Sequence, residues 1–310
     1  MVVAAPRGFC AGVVRAVETV ERALSVHGPP VYVRRHIVHN THVVRDLEER
    51  GAVFVESEAD VPEGALLVLA AHGVAPSVYR AAAARSLLTI DATCPLVRKV
   101  HAEARRFADE GFRVVLVGHA GHDEVVGTMA QAPDAIVLVE NVEQARAVEL
   151  PSDRPVAYVT QTTLSLDETA EIVSTLRARF PSIAGPHRGD ICYATTNRQS
   201  AVKALLAEVE ALVVVGSPES SNSNRLAETA RDRGVPAYLV EDETGLEERW
   251  FADVEAVGVT AGASTPEALV GRVVGWFRAR GVADVRWPAD YSEDVFFKLP
   301  PAPLELAAAS

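Results

Sequence analysis

Cys10, Cys94 and Cys192 are the three thiols of a 310-residue chain, and each heads a stretch with helical apolar spacing. Apolar residues follow at Val13, Val17, Val20 and Leu24, at Val97, Val100, Ala104 and Phe107, and at Val202, Leu205, Leu206 and Val209. One face of a helix repeats in that way. Pro95, directly after Cys94, suits the first position inside a helix, which puts Cys94 at the cap, against the positive helix end that favours a thiolate. A thiolate binds metals and acts as a nucleophile. Intervals of roughly ninety residues are too long for finger-type zinc spacing and fit one small α/β unit each. We therefore expect three repeats that each bring one thiolate to a common centre. Taken singly, each cysteine reads as an inert core residue. Three at equivalent positions of three repeats instead suit an iron–sulfur cluster in which one iron lacks a protein ligand and is open to a substrate oxygen.

A zinc site from His36, His39 and His42, or from His119 and His122, is the competing metal reading. Histidines on strand-end loops are commonly just solvated, and no cysteine pair accompanies these. The run Ser220-Ser221-Asn222-Ser223-Asn224 could be a turn with a cap for a helix at Arg225, which accounts for one or two of its five residues. With Ser264, Thr162 and the histidines it would make a neutral, donor-rich pocket of the kind that grips phosphate. Hydrogen bonds to a charged group are worth about 1.5–3 kcal/mol each, so about five hold a diphosphate without a lysine cluster. Glu124 lies two positions after His122 on a glycine-containing loop. It reads equally as an exposed loop carboxylate and as the proton donor to a leaving hydroxyl.

The elements that must position these residues alternate between short β-branched runs and helical stretches, the signature of parallel α/β units. Strands are predicted at Val31–Val33, Leu66–Leu69, Arg113–Val117, Val156–Val159, Leu212–Val215 and Val257–Val259. Ligands of open parallel sheets collect at the carboxyl ends of strands. There the chain supplies Ile37-Val38-His39-Asn40, Ala71-His72-Gly73, Gly118 through Glu124, Gln161-Thr162-Thr163, Gly216 through Asn224, and Thr260 through Ser264. Each repeat thus contributes two polar ends and one cysteine. Domain limits are expected near the cysteines, at roughly 12–94, 95–188 and 189–280 with 1–11 joining the third unit. Pro181 to Gly189 reads as the loop before that unit. The tail, roughly 281–310 and including Tyr291, Val295, Phe296, Phe297 and Leu299 before Pro300-Pro301, has no helical period. It is expected to lie across another unit as a clamp, with Ala307 to Ser310 disordered.

With 48% hydrophobic residues the chain can bury a large core. No run reaches the apolar length of a membrane span, and Met1 leads into Val2-Val3-Ala4-Ala5-Pro6 without a signal peptide's basic start. Three well-separated cysteines argue for a reducing compartment, so a cytoplasmic protein is expected. A formal charge of −12 disfavours nucleic acid as a partner and leaves an anionic ligand to local donors.

The order and wording of the motifs carry a resemblance. Arg7-Gly8-Phe9-Cys10-Ala11-Gly12-Val13, Val38-His39-Asn40, Ala71-His72-Gly73-Val74, Asp91-Ala92-Thr93-Cys94-Pro95, Gly118-His119-Ala120-Gly121-His122, Glu124, Gln161-Thr162-Thr163, Cys192 through Gln199, Ser220 through Leu226 and Thr260 through Ser264 closely resemble the 4-hydroxy-3-methylbut-2-enyl diphosphate reductase family. The likeness runs in order from about residue 6 to 280. It implies a cloverleaf of three similar α/β domains in pseudo-threefold arrangement around one [4Fe-4S] cluster, and the last step of the non-mevalonate isoprenoid (MEP) pathway. That step removes an allylic hydroxyl with two electrons and two protons, giving isopentenyl and dimethylallyl diphosphates plus water. Carried over by position, Cys10, Cys94 and Cys192 are the cluster ligands, and Glu124 is the proton donor. Thr162 orients the hydroxyl and relays a proton, while His39, His72, His122, Ser220, Ser221, Asn222 and Ser264 hold the diphosphate. Asp123 stands where many members of the family carry proline, a departure that bears on loop rigidity and not on the role of Glu124.

Three other readings compete. A quinolinate synthase-like three-cysteine dehydratase would need carboxylate contacts in place of Ser220 to Asn224. A non-catalytic iron–sulfur sensor would have no use for Glu124 and Thr162, and a cysteine hydrolase leaves two cysteines unexplained. No Gly-x-Gly-x-x-Gly fingerprint follows a strand, so ferredoxin or flavodoxin is the expected electron donor.

Overall fold

The computed structural model describes residues 1–287 and 293–300. Tyr291, Pro301 and Ala307 to Ser310, named in the expectation for the tail, lie outside the described residues. In chain order β1 (Val2–Val3) comes first and pairs in the third repeat's sheet; the first repeat then runs α1 (Ala11–His27), β2 (Val31–Arg34), α2 (Thr41–Glu49), β3 (Ala52–Val55), β4 (Leu66–Leu69), α3 (Pro76–Ala84) and β5 (Leu88–Asp91). The second comprises α4 (Pro95–Asp109), β6 (Arg113–Val117), α5 (Asp123–Met129), β7 (Ile136–Val139), α6 (Val142–Ala147), β8 (Val156–Thr160) and α7 (Leu166–Arg179). The third comprises α8 (Tyr193–Leu205), β9 (Ala211–Val215), α9 (Ser221–Arg231), β10 (Ala237–Val240), β11 (Val257–Ala261) and α10 (Glu267–Arg278).

Three parallel sheets result, ordered β3-β2-β4-β5, β7-β6-β8 and β1-β11-β9-β10. The same plan underlies all of them: the first strand of a repeat lies between its second and its third. That order makes a switch point between first and third strands, where loops leave the carboxyl ends and open a crevice. The sheets are sandwiched by apolar layers. Val114 and Leu116 of β6 face one core with Val100, Ala104 and Phe107 of α4, while Val115 and Val117 face another with Ile172 and Leu176 of α7. On β9, Leu212 and Val214 pack with Leu226 and Ala230 of α9, and Val213 and Val215 with Val270, Val274 and Phe277 of α10. Strands buried on both faces read as continuous apolar runs, which is what made the central strands visible in the sequence.

By contacts the described chain divides into two compact units. One holds Met1–Val13, His39–Val43 and Tyr193–Phe296, with the β1-β11-β9-β10 sheet; the other holds Val14–Val38, Val44–Cys192 and the described residues from Phe297 on, with the remaining two sheets. In the first unit the chain after α10 continues beside β1, where Val3 N–H donates to Arg286 O (3.0 Å) and Arg286 N–H to Met1 O (3.0 Å). In the second, Arg15 Nε donates to Lys298 O (2.9 Å). No helix of the described residues is long and apolar enough to cross a membrane.

Candidate active site

Each cysteine directly precedes a helix: Cys10 before α1, Cys94 before α4 and Cys192 before α8. None is in a disulfide, and all three are half-buried. Their amides are held alike. Cys94 N–H donates to Ala71 O (2.9 Å), Cys192 N–H to Thr162 O (3.0 Å) and Cys10 N–H to Ala263 O (3.1 Å). In every case the acceptor lies two residues past the end of the repeat's third strand, β4, β8 or β11. Each thiol thus stands at a helix start and is fixed through its own peptide at the same position of its repeat, and a thiol is the side chain that iron–sulfur centres take as ligand. The expected cap at Cys94, with Pro95 as first helical residue, is present. The helix after Cys192 is shorter than its apolar period implied, ending at Leu205, so Leu206 and Val209 lie beyond it.

In the second repeat the crevice between β6 and β8 holds Glu124. The residue is in the first turn of α5, not on a loop, and it is 2% exposed. Its Oε1 accepts the Thr162 N–H (2.6 Å), and Thr162 Oγ1 donates to Oε2 (2.9 Å). Burial pushes the carboxyl up to about 7 against these two bonds, which favour the charged form, with Asp190 adding a smaller upward push. Thr162 therefore links the acid to the peptide of Cys192. His122 caps α5: its Nδ1 accepts the Glu124 N–H at 3.1 Å. An acceptor Nδ1 leaves Nε2 as the proton-bearing nitrogen, a donor for an anion. The His122 ring stands edge-on to His72, with centroids 6.0 Å apart. Asp123 is paired with Arg35, which itself has φ 56°, in the left-handed region. That ion pair ties the start of α5 to the end of β2.

In the unit that holds the third sheet, Ser220 caps α9 by accepting the Ser223 N–H (3.3 Å). Ser221 and Asn222 are thus the first residues of a helix that begins four positions earlier than the turn reading placed it. Buried Asn222 accepts the Ala263 N–H through Oδ1 (2.9 Å) and donates through Nδ2 to Thr195 Oγ1 (3.3 Å). Ser264 Oγ donates to His39 O (2.9 Å). A Cβ on Gly216 or Gly262 would run into Ser223, so these two strand-end glycines let the first turn of α9 approach the crevice closely. Helix start, serines, Asn222 and His39 belong to one donor-rich region, which suits an anion.

The histidine sets weighed for zinc behave differently. His42 Nε2 pairs with Asp242 Oδ2 at 3.0 Å, and His36 lies edge-on to Phe54. Several residues of consequence escaped the sequence reading. Arg198, fully buried, donates through Nη2 to Gly8 O (2.7 Å) and pairs with Glu293 (3.0 Å). Asp190, pushed up to about 6 chiefly by burial, accepts from the Thr160 N–H (3.0 Å) and from Lys99 Nζ (3.0 Å). Tyr193 Oη accepts the Ala11 N–H (3.1 Å). Arg198 and Tyr193 sit inside the segment Cys192 through Gln199 that carried the resemblance. Their partners are remote in sequence, which left no local signal for their roles.

Comparison with known proteins bears on the family and the fold. A family model described as LytB protein matches residues 1–278. The chain is 55% identical to the 4-hydroxy-3-methylbut-2-enyl diphosphate reductase of Acidothermus cellulolyticus, covering 97% of this chain and 89% of that one. It is 53% identical to 4-hydroxy-3-methylbut-2-enyl diphosphate reductase 2 of Bradyrhizobium diazoefficiens, over 99% and 98% of the two chains. Among solved structures, the E-1-hydroxy-2-methyl-but-2-enyl-4-diphosphate reductase from Plasmodium falciparum superposes with a TM-score of 0.94 at 39% identity, over 99% of this chain and 97% of that one. A second, an (E)-4-hydroxy-3-methyl-but-2-enyl diphosphate reductase described as the terminal enzyme of the non-mevalonate pathway, gives 0.62 at 32% identity, over 89% and 98%. A family match over nine-tenths of the length, together with relatives more than half identical, establishes that the chain belongs to the LytB family.

Proposed function

We propose that this protein reduces 4-hydroxy-3-methylbut-2-enyl diphosphate to isopentenyl and dimethylallyl diphosphates plus water, the terminal step of the non-mevalonate pathway. The relatives are named as reductases of this diphosphate, and one solved structure is described as the terminal enzyme of the non-mevalonate pathway. The single observation in the chain that carries the chemistry is Glu124: a carboxyl 2% exposed, held at both oxygens by Thr162 and poised near 7. Removing a hydroxyl by two-electron reduction leaves negative charge on oxygen, and an acid protonated near neutral pH turns that oxygen into departing water.

Cys10, Cys94 and Cys192 would hold one [4Fe-4S] cluster, with one iron lacking a protein ligand. When bound, the cluster supplies single electrons and a Lewis-acidic iron. The remaining work falls to the side chains. Oε1 of Glu124 is taken by the Thr162 N–H, so the protonated acid carries its proton on Oε2, and the 2.9 Å bond then runs the other way, with Oε2–H donating to Thr162 Oγ1. The threonine hydroxyl takes that proton and passes its own to the leaving oxygen, which it also orients. His39, His72, His122, Ser220, Ser221, Asn222 and Ser264 hold the diphosphate, with Nε2 of His122 and the first amides of α9 as donors. A formal charge of −12 makes such local donors necessary. Electrons come from a ferredoxin or flavodoxin, because the sequence has no dinucleotide fingerprint after a strand.

The test is turnover. Anaerobically purified protein with an artificial reductant and the hydroxylated diphosphate should yield both isoprenoid diphosphates by mass spectrometry. Absence of both products from protein with full iron and sulfide would refute the assignment.

A further inference from the structure

Each helix that follows a cysteine carries a long cation five or six positions on: Arg15 after Cys10, Lys99 after Cys94 and Arg198 after Cys192. Each cation reaches backbone carbonyls of the run leading into another cysteine. Arg15 Nη1 donates to Ala92 O (2.9 Å) and Thr93 O (3.1 Å), the two residues before Cys94. Lys99 Nζ donates to Arg188 O (2.7 Å), Gly189 O (3.3 Å) and Asp190 Oδ1 (3.0 Å), in the run that leads into Cys192. Arg198 donates through Nε and Nη2 to Gly8 O (3.1 and 2.7 Å) and through Nη2 to Phe9 O (3.4 Å), the two residues before Cys10. The series closes on itself. The helix after the first cysteine holds the loop of the second, the helix after the second holds that of the third, and the helix after the third holds that of the first.

Burying a cation is costly unless its donors are satisfied, and the carbonyls of these loops satisfy them. Arg15 is 4% exposed and Arg198 0%. Acidic partners balance two of the charges: Glu293 at 3.0 Å from Arg198, and Asp190 at 3.0 Å from Lys99. The runs that enter the cysteines have no regular structure of their own. Tertiary contacts place them instead: the cysteine amide bonds already described, Gly8 N–H to Ala261 O (3.3 Å), Ala92 N–H to Leu69 O (3.0 Å), Thr160 N–H to Asp190 Oδ2 (3.0 Å), and these cations.

We propose that Arg15, Lys99 and Arg198 are a cyclic set of positioning residues, each fixing the loop that bears the next cysteine in the series. The proposal rests on the reading of the three cysteines as one ligand set. It makes a directional demand: weakening one cation loosens the following cysteine and not the cysteine at the head of the cation's own helix. A merely structural role would loosen all three together.

The experiment is site-resolved alkylation of the anaerobic, cluster-loaded full chain, with iodoacetamide as probe and each cysteine quantified by mass spectrometry over time. Arg15→Lys and Arg198→Lys keep the charge but lose the fork that spans two carbonyls. Lys99→Gln acts on a half-exposed side chain, so it remains informative if an arginine variant fails to fold. Losing one charge-assisted contact should raise labelling about tenfold at Cys94 in Arg15→Lys, at Cys192 in Lys99→Gln and at Cys10 in Arg198→Lys, the other two cysteines keeping wild-type rates. Equal acceleration of all three cysteines, or first labelling of the cysteine on the variant's own helix, overturns the proposal. Wild-type cysteines that label equally fast with and without iron would overturn the ligand reading itself, a separate outcome.

Discussion

Glu124 combines two demands on one carboxyl, since it must stay protonated near neutrality and yet be anchored. Burial meets the first and Thr162 the second. Replacing it by glutamine keeps the shape and removes the acid. Turnover should then fall about 10²–10⁴-fold while spectroscopic titration gives an unchanged substrate affinity. Near-wild-type turnover would remove Glu124 from the chemistry. The same shift sets a pH dependence of stability. The carboxyl rises from its ordinary 4.5 to about 7 in the folded chain. Below 4.5 both folded and unfolded states are protonated. As pH climbs through about 7, the folded state must ionise a buried group and stability is lost. Glu124→Gln is therefore expected to gain thermal stability relative to wild type between pH 5 and 8, and a difference that stays flat over this window would contradict the buried acid. What sequence gave for this residue was its neighbourhood: two positions after His122, it read equally as a solvated carboxylate. Only its partner Thr162, remote in the chain, separates those readings.

Helices and strands bring such remote residues together, and glycines set how closely they do so. Gly73 follows His72 at φ +78°, where an added Cβ would lie 2.6 Å from the buried ring of His101 on α4. Gly121, before His122, has φ +79° and nothing within 4 Å. Gly121→Ala should cost about 1–2 kcal/mol, the left-handed backbone alone. Gly73→Ala should cost about 1–3 kcal/mol more through overpacking. Denaturant midpoints of the two variants measure the difference, and equal losses would mean that His101 does not fill that space. Element-level features were unevenly legible. Val31–Val33, Leu66–Leu69, Arg113–Val117, Leu212–Val215 and Val257–Val259 belong to strands with a neighbour on each side, and the sixth predicted run is β8. The unread strands, β1, β3, β5, β7 and β10, are all sheet edges. Leu88 and Thr89 of β5 are exposed, for instance, so no continuous buried run announces that strand. The start of α9 was also misplaced, because serine and asparagine signal turns and helix starts alike until the Ser220 cap is seen.

Over the whole chain, one plan is used three times. Each repeat supplies a sheet with its first strand between second and third, a cysteine at the head of a helix, and a carbonyl two residues past the third strand that holds the cysteine amide. The threefold use of a single cysteine was legible from helical spacing alone. The bonds that make the three positions equivalent were not, because each joins segments far apart in sequence. Three cysteines in all leave the proposed ligand set no substitute thiol. The measurement that follows is iron and acid-labile sulfide per chain, with turnover under an artificial reductant, in anaerobic wild type and in Cys10→Ser, Cys94→Ser and Cys192→Ser. Wild type should hold about four irons and four sulfides, and each single variant should lose most of both along with activity. A variant that keeps full iron and full turnover after the loss of any one cysteine would contradict a cluster held by all three.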